Sequence, residues 1–461
     1  MSQPTPHALS TVAAIATAPG PGAIGIVRLS GPQAHAIGRA LFEPQSRTFT
    51  DFETARLHLG HIRDPRTHAV LDQALVVLFR APHSFTGEDV LEIHAHGGPL
   101  VLRHILGACL ALGAEPAGPG EFSRRAFLHG KLDLAQAEAI QETIAATSPL
   151  ALAQAEDRLH GHLSQAVGAL RDAVLALRAE LLVAVDFPEE DLPELEPEQI
   201  RQRVQAVLAP IDRLLAGARR GALARNGALV VLAGRVNAGK SSLMNALLGR
   251  ERAIVSALPG TTRDVLEEPL LVAGFPVRLT DTAGLRAQTQ DPIEHEGIRR
   301  TQDMLRAADV VLVVLDATST PDAEDLCLMT LDKPKLVVVT KMDLVSQVPA
   351  WVQGPPWNSA PQVMVCAHTG AGLDTLETAL GQILEAEAPE GTGLTPNERQ
   401  AQLLHAARDE LTELCAAANA LPADLLAVHL DAAAAHLAAI TGKVTTDELL
   451  DAVFARFCIG K

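Results

Sequence analysis

The eight residues Gly234-Arg235-Val236-Asn237-Ala238-Gly239-Lys240-Ser241 constrain the fold of this chain more than any other stretch. They follow the apolar run Leu229-Val230-Val231-Leu232, and a helical pattern opens behind them from Ser242 to Leu248. A strand, a glycine-rich turn and a helix beginning at Gly-Lys-Ser form a phosphate loop. Backbone N–H groups curl around the phosphate, and the helix N-terminus favours its charge. Lys240 is then placed to neutralise the β/γ oxygens, and the Ser241 hydroxyl is placed for Mg²⁺. Such a loop sits at the end of a parallel strand, so the surrounding region is expected to be doubly wound α/β.

The texture of that region agrees. Between residues 228 and 385, apolar runs at 277–280, 310–315 and 336–339 alternate with helical patterns. Motifs close two of these runs and the next strand after them. Asp281-Thr282-Ala283-Gly284 offers a carboxylate that reaches Mg²⁺ through water and a Gly284 amide that senses the γ-phosphate. Thr340-Lys341-Met342-Asp343 offers a carboxylate that accepts from guanine N1–H and the 2-amino group, which adenine cannot reproduce. Cys366-Ala367-His368 can present the Ala367 amide to guanine O6. In that order the motifs read as a GTPase. Two departures stand out: Thr340 occupies a position usually held by Asn, and Leu285 and Arg286, after Gly284, offer no water-orienting amide. Guanine specificity is expected to rest on Asp343, and the transition state must be stabilised in another way.

Composition bounds the rest. The 461 residues are 48% hydrophobic and 20% charged, enough for packed cores in about three domains. Aromatics are 3%, with no Tyr, which disfavours an RNA surface of stacked rings. A net charge of −17 disfavours non-specific nucleic-acid binding. The five cysteines form no CxxC pair, so neither a disulfide framework nor a structural zinc site is expected. The N-terminus lacks a signal peptide's basic region, and no apolar run is read as reaching the roughly 18–20 residues that span a bilayer. A soluble, cytoplasmic protein is expected.

The stretch to residue 120 reads as mixed α/β, with strands at 23–29 and 74–79 and a helix from Pro99 to Leu112. Residues 121–225 are helical and Ala/Leu-rich, with a turn expected at 186–193; 389–396 reads as a linker, and helix resumes to Lys461. The expected domains are 1–120, a helical part 121–225, a G domain 226–386 inserted into the helical domain, and a second helical part 387–461. His94-Ala95-His96 puts two imidazoles on one strand face, with a structural role expected. Arg124-Arg125 is expected to be a solvated helix end.

Leu258-Pro259-Gly260-Thr261-Thr262-Arg263-Asp264 resembles switch I of the TrmE-Era-EngA-type GTPases. Residues 25–31, Ser84-Phe85-Thr86-Gly87-Glu88-Asp89, Gly120-Glu121-Phe122-Ser123, the stretch KLDLAQAEA at 131–139 and the terminal Cys458-Ile459-Gly460-Lys461 narrow the resemblance to the MnmE (TrmE) family. It runs over essentially the whole chain. The resemblance implies a homodimer whose N-terminal domain binds a tetrahydrofolate derivative (5-formyl- or methylene-tetrahydrofolate). It also implies a partnership with the flavoprotein MnmG in a heterotetramer. Together the two add a carboxymethylaminomethyl-type group to C5 of the wobble uridine of certain tRNAs. G domains that meet face to face with K⁺ and GTP bound would hydrolyse the nucleotide without an arginine finger.

Carried over residue by residue, the resemblance implies K⁺ ligands at Asn237, Ser256, Leu258 (through its carbonyl) and Thr261, and Mg²⁺ ligands at Ser241 and Thr262. The implied GTP contacts run over Asn237, Ala238, Gly239, Lys240, Ser241 and Ser242, then Ser256, Ala257, Leu258, Pro259, Gly260, Thr261 and Thr262. They continue over Asp281, Thr282, Ala283 and Gly284, the base motif Thr340, Lys341, Met342 and Asp343, and Cys366, Ala367 and His368. The implied catalytic groups are Glu294, which orients the attacking water with Glu296 as rival, together with Asn237, Lys240 and Cys458. The implied folate residues are Arg28, Glu88, Lys131 and Lys461. Two other readings share some of these features. A regulatory GTPase of ribosome assembly, of the Era or EngA kind, would share switch I but should carry a C-terminal KH-type module with a basic GxxG loop. A one-carbon transferase with an accessory G domain would explain the N-terminus alone.

Overall fold

The structure, a computed structural model, describes residues 10–186, 195–251, 268–281, 294–387 and 393–461. These fall into two compact units. The first comprises residues up to 144 with 158–172 and 434–461; the second comprises 145–157 and 173–433. The helical sequence contributes to both.

The first unit is built on a seven-stranded sheet. Its strands are β1 (Val12–Ile15), β2 (Gly22–Ser30), β3 (Phe42–Pro44), β4 (His58–Arg63), β5 (Val70–Phe79), β6 (Val90–Gly97) and β7 (Glu115–Pro116), ordered β3-β4-β5-β6-β2-β1-β7. The expected strands at 23–29 and 74–79 are β2 and β5, and the expected helix is Pro99–Ala111. Its Leu102, Ile105 and Ala108, at helical spacing, pack with Val27, Leu29 and Ile93 of the sheet. A Cβ at Gly25 would lie 2.4 Å from Leu102, so glycine there lets the helix approach β2.

The chain ends in this unit. The helix Asp447–Phe454 stops, and Phe454 and Phe457 pack with Leu134, Ala137 and Leu450. The last residues then run along the N-terminal sequence. Ile459 bridges Pro119, and the Lys461 carbonyl accepts from the Phe122 N–H at 3.1 Å. Gly460 has φ +96°, and a Cβ there would meet the Ile15 carbonyl at 2.4 Å; only glycine fits. The terminal Gly-Lys is therefore a docked structure rather than a frayed end.

The second unit carries a six-stranded sheet of β8 (Ala228–Ala233), β9 (Glu268–Val272), β10 (Phe275–Asp281), β11 (Val310–Asp316), β12 (Lys335–Thr340) and β13 (Gln362–Met364). The order is β13-β12-β11-β8-β10-β9, with every pair parallel except β10 with β9. Strands β8, β11 and β12 are covered on both faces, which is why they read as unbroken apolar runs. The period of two divides them: Val230, Leu232, Leu312 and Val338 enter one core, and Val231, Val311, Val313 and Val339 enter the other.

All six strands lie between stretches of helix, so the Ras-like α/β domain is inserted into helical sequence as expected. The 30-residue helix Pro197–Asn226 leads into it. Asp309 fastens that helix to the sheet: one carboxylate oxygen pairs with Arg219 at 2.6 Å and the other accepts from the Leu229 N–H at 2.8 Å. On the return, Arg225 donates to the Pro396 carbonyl at 3.2 Å. The turn expected at 186–193 and the first part of the linker at 389–396 lie outside the described residues.

One expectation needs correction. The helix Ala423–Thr441 has 19 residues and a mean hydropathy of 1.4, long and apolar enough to cross a bilayer by length and composition. Alanines dilute its apolar signal along the sequence. In the fold, Leu426, Leu430, Leu437 and Ile440 are buried, His429 bonds Glu410 at 2.7 Å, and Asp431 pairs with Arg178 at 2.5 Å. Those are the features of a packed core helix.

Candidate functional site

The phosphate loop leaves the C-terminal end of β8 and enters the helix Lys240–Glu251. Gly234 has φ +153°, and a Cβ there would lie 2.2 Å from the Val314 carbonyl, so the loop presses on β11 at a point only glycine allows. Asn237 turns in the left-handed region at φ +64°. The Lys240 side chain folds back over the loop, and its ammonium donates to the carbonyls of Gly234 and Arg235, both at 2.8 Å. Lys240 is only 4% exposed, so its charge is held in place inside the loop. Ser241 Oγ lies 2.8 Å from Asp281 Oδ2 at the end of β10. Two hard oxygen ligands from neighbouring elements suit Mg²⁺, one directly and one through water.

The loop's own guanidinium is committed elsewhere. Arg235 pairs with Asp322 at 3.2 Å and with buried Asp325 at 2.9 Å, and donates to Ser319 Oγ and the Thr320 carbonyl. Burial raises the Asp325 pKa despite that pairing.

The base motif sits where the sequence predicts, at the end of β12. Thr340 is buried, and its hydroxyl contacts the Ala238 carbonyl at 2.6 Å and the Leu315 carbonyl at 3.0 Å. The residue that departs from the usual Asn thus ties the base motif to the phosphate loop and to β11. Lys341 has φ +58°, and its ammonium meets Asp316 Oδ2 at 2.6 Å. Burial raises the Asp316 pKa, but the bonds from Lys341 and Thr318 outweigh it and hold the carboxyl below its ordinary value. Met342 and Asp343 lie in the short 3-10 turn Met342–Leu344. Cys366 Sγ donates to Asp343 Oδ1 at 3.2 Å, bringing the Cys366-Ala367-His368 turn after β13 against the base motif.

Thr340→Val should therefore weaken GTP binding about tenfold and cost about 1–2 kcal/mol of stability, because a buried donor is lost while its carbonyl partners remain. Thr340→Ser should behave like the parent. Nucleotide titration and denaturant unfolding check both, and normal GTP affinity in the Val variant would show that the tie does not position the loop.

In the first unit, the four residues expected to bind a folate gather around the loop before β6 and the C-terminal tail. The Arg28 guanidinium lies 5.6 Å from the Phe122 ring centre and 5.9 Å from that of Phe85. It pairs with Glu92 at 2.8 Å and donates to the Gly460 carbonyl at 3.3 Å. Lys131 donates to the Pro82 carbonyl at 3.1 Å. Burial, and then the Arg28 guanidinium, push the Lys461 ammonium below its ordinary pKa, while Glu92 pulls the other way. Glu88 accepts from Ser30 Oγ at 2.7 Å and from Arg125 at 2.9 Å.

Arg125 corrects the solvated helix end expected at Arg124-Arg125. It is 2% exposed, pairs with Glu88 and Glu121, and donates to the Ser10 carbonyl. Its helix turns that face inward, which the charge of the side chain hid in the sequence. Arg124 pairs with Asp451 at 3.2 Å. His94 and His96 have partners of their own, Glu92 at 3.0 Å and Asp72 at 2.8 Å. Cys458 is exposed.

Ser256, Ala257, Leu258, Pro259, Gly260, Thr261, Thr262, Thr282, Ala283 and Gly284 lie outside the described residues. Glu294 and Glu296 stand in the first turn of the helix Glu294–Ala307. Sequence reading passed over Asp316, although its place directly after a buried strand run was the available signal. It also passed over Asp322 and Asp325, whose role appears only once Arg235 meets them.

Two family descriptions match this chain: the MnmE helical domain over residues 134–458 and the TrmE N-terminus over residues 11–131. A tRNA modification GTPase MnmE of Nitratidesulfovibrio vulgaris (strain DP4) is 49% identical, over 98% of this chain and 99% of its own length. The chain belongs to the MnmE family. Its MnmE relatives include proteins of the same name from Synechococcus sp. (strain JA-2-3B'a(2-13)), 44% identical over 99% of this chain and 100% of that protein, and from Chloroflexus aurantiacus, 46% identical over 98% and 99%. A solved structure, the G domain of the T. maritima FeoB iron transporter, covers 34% of this MnmE-family chain and 98% of its own at 28% identity, with a TM-score of 0.26.

Proposed function

We infer that this chain is a GTP-hydrolysing enzyme of tRNA modification that uses Mg²⁺ and K⁺. The observation that carries the reading is Lys240, buried and pinned on two loop carbonyls beside the Ser241–Asp281 pair. A cation held rigidly among backbone amides stabilises polyphosphate charge without reorganising at the moment of reaction. Its relatives carry the tRNA-modification name rather than a ribosome-assembly one.

Potassium is what the family resemblance implies, and the residues of the loop are compatible with it. Arg235 is occupied by Asp322 and Asp325, and Leu285 cannot orient water. Extra positive charge must come from another source. The neutral amide oxygen of Asn237, on its left-handed turn, is a suitable donor for a monovalent cation. Ser256, Leu258 and Thr261 are its proposed co-ligands, and their hydroxyl and carbonyl oxygens suit K⁺. At matched ionic strength, GTP turnover should be several-fold or more faster in K⁺ than in Na⁺, with most of the difference lost in Asn237→Ala. Equal rates in the two salts would refute the cation site.

The proposed domains are those read from the sequence: 1–120, 121–225, 226–386 and 387–461. We assign a tetrahydrofolate derivative to the first. The fit rests on the donor set, since Glu88 is a carboxylate suited to a pterin edge, and Arg28, Lys131 and Lys461 are cations suited to a glutamyl tail. When bound, the folate supplies one-carbon chemistry. A homodimer working with MnmG in the cytoplasm, on the wobble uridine of tRNA, completes the proposal, with Cys458 beside the site. Deleting residues 458–461 should abolish the modification yet leave K⁺-stimulated GTPase activity nearly normal. Nucleoside analysis of tRNA from complemented cells, beside a GTPase assay, reads both. Retained modification would remove the tail from the site.

A further inference from the structure

A cavity of about 360 Å³ opens in the first unit, lined by residues that neither site above uses. One wall is a stripe of the helix His162–Asp186 and its entry: Gly161, Ser164, Gly168 and Arg171, spaced three to four residues apart along the first turns. The opposite walls are Gln136, at the start of the helix Leu134–Ala145, and Thr441 with Lys443 beyond the end of the helix Ala423–Thr441.

Three features of this lining point to an oxyanion. First, its cations are uncommitted. Lys443 has no ion pair among the described residues, and Arg171 meets the Asp172 carboxylate only at 3.7 Å, beyond hydrogen-bond length. The one carboxylate in the lining, Asp133, already caps its helix by accepting from the Gln136 N–H at 2.9 Å. Second, Ser164 Oγ is buried and finds no hydrogen-bond partner. Buried hydroxyls normally have one, so a polar acceptor or donor is missing there. Third, the first turn of the 25-residue helix His162–Asp186 faces the same space, and its N-terminal amides favour negative charge.

We propose that this cavity binds the phosphate group of a phosphoester. Arg171 and Lys443 balance its charge, and the Ser164 hydroxyl donates to a phosphate oxygen. The volume exceeds that of a bare phosphate, and Val167 and Leu437 offer apolar wall for the sugar that carries it. A small sugar phosphate and the backbone of an RNA share this chemistry, and the test separates them.

The probes are ribose 5-phosphate, measured by calorimetric titration with ribose as control, and a tRNA transcript, measured by filter binding, both on the full chain. The variants are the double substitution Arg171→Gln with Lys443→Gln, and Gly168→Leu. A Cβ at Gly168, which lines the cavity, would meet nothing within 4 Å, so a larger side chain there starts into open space. Replacing a glycine inside a helix should also leave the thermal midpoint unchanged or raised, and an unaltered GTPase rate checks the rest of the fold. Binding of ribose 5-phosphate but not ribose, weakened at least tenfold in both variants, establishes a small phosphoester as the ligand. No binding of ribose 5-phosphate, with tRNA affinity reduced at least tenfold in both variants, establishes the polynucleotide. If neither probe distinguishes the variants from the parent, the proposal is overturned.

Discussion

Asp343→Asn should lower GTP affinity by roughly 10²–10⁴-fold, the equivalent of losing two hydrogen bonds to a carboxylate at about 1.5–3 kcal/mol each. The carboxylate follows the end of β12 in the turn Met342–Leu344, with Cys366 Sγ donating to Oδ1 at 3.2 Å. An amide there presents a donor where guanine N1–H needs an acceptor. The same donor suits the 2-carbonyl of xanthine, so preference should move towards xanthine nucleotides. Equilibrium titration with both nucleotides reads the exchange. Unchanged GTP affinity would remove Asp343 from base recognition, and equal loss for both bases with a lowered unfolding midpoint would mean that the Cys366 contact had been its main role.

Glu294→Ala should slow hydrolysis by roughly 10²–10³-fold while nucleotide binding stays within a few-fold of the parent, the pattern expected when a water-orienting group is lost. Glu294 opens the helix Glu294–Ala307, and Glu296 shares its first turn. Glu296→Ala is therefore the control. Single-turnover hydrolysis beside nucleotide affinity separates chemistry from binding. If only the Glu296 variant is slow, the two roles exchange. If neither is slow, water is oriented by a residue elsewhere.

Asp343 is a residue that the order of motifs identifies and Glu294 one that the family resemblance implies, whereas the surroundings of Asp343 came from the fold. Thr340 shows the difference. In the sequence it is a departure from a base motif; in the structure its hydroxyl spans 102 positions to the Ala238 carbonyl and 25 to that of Leu315. Arg125 shows it again, since a charged residue on a short helix reads as solvated until Glu88, Glu121 and the Ser10 carbonyl converge on it. The membrane-length helix Ala423–Thr441 was missed for a related reason: twelve alanines and leucines in small groups do not register as one apolar run until the helix is seen whole.

The sequence by itself determined the second sheet, its phosphate loop and the ends of strands at which the motifs sit. Those features are local: a period of two assigns side chains to faces, an unbroken apolar run marks a strand covered twice, and glycines mark turns that a Cβ would block. Only the tertiary structure decided which distant groups meet. Arg28 reaches the Gly460 carbonyl across 432 positions, and Gly460 fits under Ile15 because it has no side chain. Periodicity specifies that a residue is buried or exposed. It carries no information on the partner, because partners far apart in the chain are brought together by the closing of the whole core.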